Sequence, residues 1–303
     1  MAFNLNNIPS QKGKTAIVTG ANAGLGFETT IGLAKKRIKV IMACRNMDKA
    51  ENAKNDILER VPDADLEIMT LDLASLDSVR SFTQSFKEKY DTLDLIINNA
   101  GVMIPPYSTT EEGYELQIGV NHLGHFLLTA LFIDLMPDTS DSRIVSLSSI
   151  AHKRGSIHFD DLHWKESYSK QGAYSQSKLA CLLFADELDR RLRESGKKKL
   201  SVCAHPGVSP TELTRYIPSI LDTIFQKVLA PFFTHPPEEG ARPTLQATLD
   251  PTVSGGDYYG PQGFMDMTGK PGLAERADVA KNQDVAQRLW EVSEELTNCN
   301  FTV

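Results

Sequence analysis

Residues 19–26 read Thr19-Gly20-Ala21-Asn22-Ala23-Gly24-Leu25-Gly26, a glycine-rich turn that follows the apolar run Thr15–Thr19 and precedes a helix-period stretch. Glycine there lets the chain turn sharply and lets its backbone approach a pyrophosphate closely. The N-terminus of the following helix offers unpaired N–H groups and the positive end of a dipole, both suited to an anion. The spacing G-x-x-x-G-x-G differs from the more familiar G-x-G-x-x-G fingerprint. Taken alone, the stretch also fits a glycine-rich turn that binds nothing.

Outward from this turn, strand signals alternate with helix signals. Thr15–Thr19, Lys39–Ala43, Leu66–Leu71, Leu93–Asn98, Arg143–Leu147 and Leu200–Ala204 are short runs rich in Ile, Val and Leu. Near-continuous apolar runs of this length suit parallel strands buried on both faces. Between them, Ser75–Tyr90 places Leu76, Val79, Phe82, Phe86 and Tyr90 on one helical stripe, with Ser75 at the N-cap. Asp48–Arg60, Glu112–Leu135 and Gly172–Ser195 also read as helices. This order predicts an α/β fold of Rossmann type: a doubly wound parallel sheet with helices on both faces and right-handed crossovers. No linker, charge block or repeat divides the chain. One domain is expected, with residues 13–205 as the nucleotide-binding core and 206–303 as substrate cover and C-terminal completion.

Composition narrows the class. Of 303 residues, 41% are apolar and 23% charged, which excludes a collagen, a coiled-coil rod and a largely disordered chain. Lys and Arg number 32 against 39 Asp and Glu, a net charge of −7 that carries no footprint for nucleic acid. Cys44, Cys181, Cys203 and Cys299 are scattered among apolar residues without a CxxC pair, as expected of free thiols in a reducing, cytoplasmic setting. The opening MAFNLNNIPSQKGK has no signal-peptide core, and the apolar run Phe126–Ile133 is too short to span a bilayer. His122 and His125 lack the further ligands a metal would need, so no metal is expected. His205 reads as a strand-end residue, and His152, His158 and His163 as solvated loop residues.

Further pieces recur in one order: Asn98-Asn99-Ala100-Gly101, Asn121, Ser146-Leu147-Ser148-Ser149, Tyr174-Ser175-Gln176-Ser177-Lys178 and Pro206-Gly207. With the turn at 19–26 they resemble the short-chain dehydrogenase/reductase family, over at least residues 13–215. The strings IMACRN, LDLASLDSVRSF, NHLGHFLLT, SSIAHKRG, YSQSKLACLLF and HPGVSPTEL are similar to its retinol dehydrogenase-like branch. Tyr174 follows Ser149 at a longer interval than in compact members, and the extra segment HKRGSIHFDDLHW is typical of this branch. Animal retinol dehydrogenases carry a hydrophobic N-terminal anchor, which the opening residues do not supply. This departure from the branch points to a soluble member and argues against carrying the retinoid substrate over with the resemblance.

The resemblance implies an oxidoreductase interconverting an alcohol and its aldehyde or ketone. Reducing a carbonyl needs a hydride at carbon and a proton at oxygen. A tyrosine can give the proton, and a nearby cation favours the phenolate needed for the reverse reaction. Lys178, four residues after Tyr174, lies on the same helical face. By resemblance Tyr174 is the acid/base, Lys178 its cation, Ser149 the donor to the substrate oxygen and Asn121 the holder of a water linking Lys178 to solvent. Ser148 is the competing serine. Tyr168 and Ser169 carry no match and read as loop residues.

The implied cofactor contacts are Gly20, Asn22, Gly24, Leu25 and Gly26 at the turn, Arg45 and Asn46 after the second strand, and Asp72 and Leu73 at the adenine. Asn99, Ala100, Gly101, Tyr174, Lys178, Pro206, Gly207 and Thr211 complete the set. An acid after the second strand would favour NAD(H). Here Ala43-Cys44-Arg45-Asn46 offers a guanidinium that suits the 2′-phosphate of NADP(H), so NADP(H) is expected ahead of NAD(H). The stripe Ile217, Ile220, Leu221, Ile224, Phe225, Val228 and Leu229, ending in Pro231-Phe232-Phe233, falls at the family's substrate lid and predicts a lipophilic small-molecule carbonyl or alcohol. A helix packed on the core is the alternative, and too few cations flank the stripe to favour membrane contact. Helices 112–135 and 172–195 carry apolar residues on more than one face, and in this family they pair across a homodimer or homotetramer. A catalytically idle dinucleotide-binding sensor or scaffold is the other reading of the same fold.

Overall fold

A computed structural model describes residues 3–207 and 236–303. The strands are β1 (Thr15–Thr19), β2 (Lys39–Cys44), β3 (Leu66–Thr70), β4 (Leu95–Asn98), β5 (Arg143–Leu147), β6 (Leu200–Ala204), β7 (Tyr258–Pro261) and β8 (Pro271–Leu273). They form one sheet in the order β3-β2-β1-β4-β5-β6-β7-β8. Pairing is parallel through β7, and β8 returns antiparallel. The reversal of strand order lies between β1 and β4, where the ends of both strands open a crevice for a ligand.

Alternation along each buried strand feeds two cores. Ala16 and Val18 of β1 join Val40 and Met42 under helices α1 (Gly24–Ala34), α2 (Met47–Arg60) and α6 (Pro237–Leu249). Ile17, Ile41 and Ile96 point the other way, into Phe82, Phe86 and Phe132 of α3 (Leu76–Lys87) and α4 (Leu116–Leu135). Ser75 caps α3, as its position predicts, by accepting from the Ser78 N–H at 3.3 Å. β7 and β8 were not foreseen. β7 pairs Cys203 with Tyr258 and Ala204 with Tyr259, so the C-terminal third extends the same sheet.

α4 winds its second turn, Gly119–Leu123, as a π-helix. It is long and apolar enough by composition to cross a bilayer, yet 83% of its most apolar window is buried inside the protein. A core helix passes the same test.

The partner of α4 and of α5 (Lys170–Glu194) is α7 (Gln283–Thr297). Trp290 is 2% exposed, its ring 5.1 Å from Phe126 and 5.9 Å from Phe184, with the Arg191 guanidinium 4.4 Å above it. Phe301 packs on the same ring, tilted by 32° with centroids 4.6 Å apart. Ser293 bonds His122 Nε2 at 2.7 Å, the Tyr114 hydroxyl donates to Leu296 O at 2.6 Å, and Arg80 donates to Thr297 O at 2.7 Å. Part of the helix pair expected to meet a second copy is thus packed from within the chain, by α7, an amphipathic helix whose buried stripe is Ala286, Leu289, Trp290, Ser293 and Thr297; Leu131 of α4 stays half-buried.

Candidate active site

The turn at the end of β1 is shaped by two glycines. Gly20 has φ +67°, a left-handed value that side chains rarely tolerate. A Cβ on Gly26 would sit 2.3 Å from Gly20 O and 2.5 Å from Asn99 Nδ2, so no other residue fits. α1 starts from Ala23, which cannot cap it, leaving the first N–H groups of the helix without a side-chain acceptor. Burial pushes the pKa of the Cys44 thiol, at the end of β2, up to about 11. An uncapped helix N-terminus behind a glycine cradle fits a dinucleotide pyrophosphate.

Thr19 clasps the next loop to this turn. Its hydroxyl accepts from the Asn99 and Ala100 N–H groups at 3.0 and 2.9 Å, and Asn99 Nδ2 donates to Thr19 O at 2.8 Å. His125 completes the clasp: Nδ1 donates to the Asn121 carbonyl at 3.1 Å, so Nε2 accepts from the Thr19 hydroxyl at 2.9 Å. Burial holds His125 neutral, with its pKa lowered to about 4, and His122 likewise at about 3.

At the far end of the crevice Arg45 is exposed, its guanidinium 3.7 Å from the Asp72 carboxylate. Asp72 also accepts from the Ala74 N–H at 2.9 Å. Two of the expected contacts also have a place in the fold. Asn46 is the N-cap of α2, its side-chain oxygen accepting from Lys49 N–H at 2.9 Å. Leu73 is buried in the α3–α4 core, and its carbonyl oxygen lies 2.7 Å from where a Cβ on Gly124 would sit.

β5 and α5 meet at the crevice mouth. Lys178 is 6% exposed, and its Nζ donates to Leu147 O at 2.9 Å. Ser148 is buried, its hydroxyl donating to Lys178 O at 2.7 Å. Ser149 is half-buried, and its Oγ accepts from the Ala151 N–H at 3.2 Å, which leaves the hydroxyl proton to donate elsewhere. The two serines, alike in sequence, are thus separated by geometry. Tyr174 is half-buried one turn before Lys178, whose Nζ lies 5.9 Å from the Tyr174 ring centroid.

Asn121 sits in the π-helical turn. Its Oδ1 accepts from Val102 N–H at 2.8 Å, and its Nδ2 donates to Val102 O at 3.0 Å and to Ser177 Oγ at 2.9 Å. Its carbonyl accepts from Cys181 Sγ at 3.1 Å as well as from His125. Gly101 faces both α4 and α5: a Cβ there would meet Asn121 Oδ1 at 3.0 Å and Lys178 Nζ at 3.5 Å.

The loops beyond are tied together. Tyr168, read as a loop residue, has its hydroxyl 3.1 Å from Pro105 O and accepts from Gln117 Nε2 at 3.1 Å. Gln117 Oε1 in turn accepts from the N–H of Ile104, whose φ is +48°, a strained value for a β-branched residue. Glu115 is fully buried beside them, and burial raises its pKa. Ser169 is the N-cap of α5. His158 is exposed as expected, and His163 stacks on Tyr114 at 5.1 Å. His205 directly follows β6, and its Nδ1 accepts from Gly207 N–H at 3.2 Å. Gly207 packs so closely on Met267 O that a Cβ would fall 2.2 Å from it. Thr211 and the 217–233 stripe lie outside the described residues.

His152 departs most from expectation. Read as solvated, it is 0% exposed, with its ring between Ser149, Tyr258 and Ala277. Its only local signal was its place three residues after Ser149.

The sequence model described as short chain dehydrogenase matches residues 14–219. Human retinol dehydrogenase 13 is 42% identical over 292 residues, covering 94% of this chain and 84% of that protein. Among solved structures, a protein from Mycobacterium paratuberculosis is 37% identical with a TM-score of 0.82, each chain covering 100% of the other. The Pseudomonas aeruginosa RhlG/NADP complex shares the fold at 21% identity and a TM-score of 0.64, covering 82% of this chain and 94% of that one.

Proposed function

Because the chain belongs to the short-chain dehydrogenase family and is an oxidoreductase acting on CH–OH groups, we propose that it interconverts a lipophilic alcohol and its aldehyde or ketone with NADP(H), Tyr174 acting as general acid and base. One observation carries the reading: Lys178 Nζ, bonded to Leu147 O, lies 5.9 Å from the Tyr174 ring, and Ser149, two residues after Leu147, keeps its hydroxyl proton uncommitted. The bound dinucleotide supplies or accepts the hydride. Ser149 donates to the substrate oxygen and orients it; Tyr174 gives that oxygen its proton on reduction and removes it on oxidation. Lys178, held by Leu147 O, attracts the negative charge that develops on the phenol oxygen. Asn121, beside Lys178 at Gly101, anchors the path by which the proton is replaced.

The apolar character of 217–233 in sequence, and of Val102-Met103-Ile104 after Gly101, supports a lipophilic substrate. Consumption of NADPH with a panel of aliphatic, aromatic and retinoid aldehydes and ketones tests this, and turnover should rise with substrate apolarity. Tight dinucleotide binding with no turnover across the panel would favour the idle sensor instead.

Arg45, exposed at the end of a β2 that carries no acid, supports NADP(H) ahead of NAD(H). Charge-assisted hydrogen bonds to a phosphate contribute about 1.5–3 kcal/mol. Arg45→Asp is therefore expected to shift the kcat/KM ratio roughly 10–100-fold from NADPH toward NADH. An unchanged ratio would remove Arg45 from the assignment. A homodimer or homotetramer is part of the same proposal, and α7 packs on part of the α4–α5 face through Trp290. Four cysteines free of disulfides fit the proposed cytoplasmic setting.

A further inference from the structure

We propose that His152 is a positioning residue for Ser149, a neutral imidazole that fixes the serine's peptide and ties it to the C-terminal segment after β8. This inference rests on the reading of Ser149 as the donor to the substrate oxygen.

Ser149 leaves β5 in extended backbone and enters a short 3₁₀ turn, Ile150–Arg154. A turn of this kind has few internal hydrogen bonds to hold its first residue in place. His152 supplies the missing restraint. Its backbone N–H donates to Ser149 O at 3.0 Å, and its ring Nδ1 approaches the same oxygen at 2.7 Å. A carbonyl only accepts, so Nδ1 carries the proton.

The opposite edge of the ring agrees. The Ala277 N–H points at Nε2 from 3.3 Å, and a backbone N–H only donates. Nε2 must therefore present its lone pair. Both contacts are satisfied by one species, the neutral Nδ1–H tautomer. A second proton would set an N–H against the Ala277 N–H. Burial, with Lys153 and Arg276 nearby, lowers the His152 pKa and keeps that proton away, against the opposing pull of the Ser149 carbonyl and, more weakly, of Asp266.

The ring is also held sideways. Tyr258 of β7 meets it edge-on, centroids 5.5 Å apart at 86°. Ser149 is thus bound to two elements remote in sequence, β7 and the 274–281 segment. Its Oγ already accepts from the Ala151 N–H in the same turn. Any rotation of the Ser149 peptide would swing the hydroxyl off the substrate oxygen. Misplacement of such a group by about 1 Å can cost roughly 100-fold in rate.

The test compares variants of the full chain. His152→Leu keeps volume and removes both polar contacts; His152→Asn retains an N–H near the Nδ1 position; His152→Gln carries its amide near Nε2 instead. Turnover should fall about 10–100-fold in the Leu and Gln variants, with dinucleotide affinity unchanged. The Asn variant should recover most of the loss. In a Ser149→Ala background none of the three should lower turnover further, because residues acting through one group are not additive.

A His152→Leu loss that persists in the Ser149→Ala background, or that comes with weakened dinucleotide binding, would overturn the proposal in favour of a general structural role. So would equal activity of the Asn and Gln variants. If Ser149→Ala itself leaves turnover intact, the reading of Ser149 fails, which is a separate result. Should the Leu variant not fold, Asn against Gln in both backgrounds gives the same decision.

Discussion

Tyr174→Phe is expected to lower turnover by about 10²–10⁴-fold while dinucleotide affinity changes little. The variant removes one oxygen and keeps the ring. The ring packs beside Lys178, 5.9 Å from its Nζ, and the Lys178 amine remains bonded to Leu147 O, so the site's walls stay in place. What disappears is the group that carries the proton to and from the substrate oxygen. Dinucleotide titration followed by fluorescence, alongside steady-state rates on the best substrate of the panel, separates the two quantities. A variant that retains a tenth or more of the wild-type rate would remove Tyr174 from the chemistry.

The second large effect concerns two adjacent serines. Ser149→Ala is expected to reduce kcat about 10²–10³-fold, the range seen when a donor to a developing oxyanion is deleted. The change should fall mainly on kcat, because the bond strengthens as charge builds on the substrate oxygen. Ser148→Ala should behave differently. Its hydroxyl is committed to Lys178 O at 2.7 Å inside the protein, so its loss costs about 1 kcal/mol of stability and less in rate. Rates together with denaturant unfolding of the two variants distinguish them. Exchanged phenotypes would reverse the assignment.

The parts of this molecule that were legible were those whose information is local. β1, β5 and β6 stand where apolar runs of strand length predict them, because a strand buried on both faces must be apolar along its whole length. The glycine-rich turn was legible because only glycine fits 2.3 Å from a carbonyl oxygen. β7, Tyr-Tyr-Gly-Pro, carries no such signal; it is a strand because β6 offers it an edge. Asn46 shows the limit of residue type alone, since the same amide serves as a helix cap or a ligand contact. His152 was illegible for a deeper reason. Its place in an inserted loop, with Lys153 and Arg154 directly after it, makes it read as solvated, and the residues that bury it arrive more than a hundred positions later. The surplus of apolar residues on α4 and α5 reads as a contact with a second copy, and part of it is met from within the chain. That part is covered by the stripe around Trp290.

That arrangement of α7 bears on how the chain is made. The bonds from Arg80 to Thr297 and from Tyr114 to Leu296 join residues separated by 217 and 182 positions. During synthesis, the sheet and its glycine-rich turn can assemble while α4 and α5 still present Phe126 and Phe184 to solvent. Only when residues past 283 leave the ribosome can Trp290 and Phe301 close over them. For that interval the nascent chain is a sticky intermediate with a nearly finished nucleotide crevice, the kind of species that holding chaperones intercept.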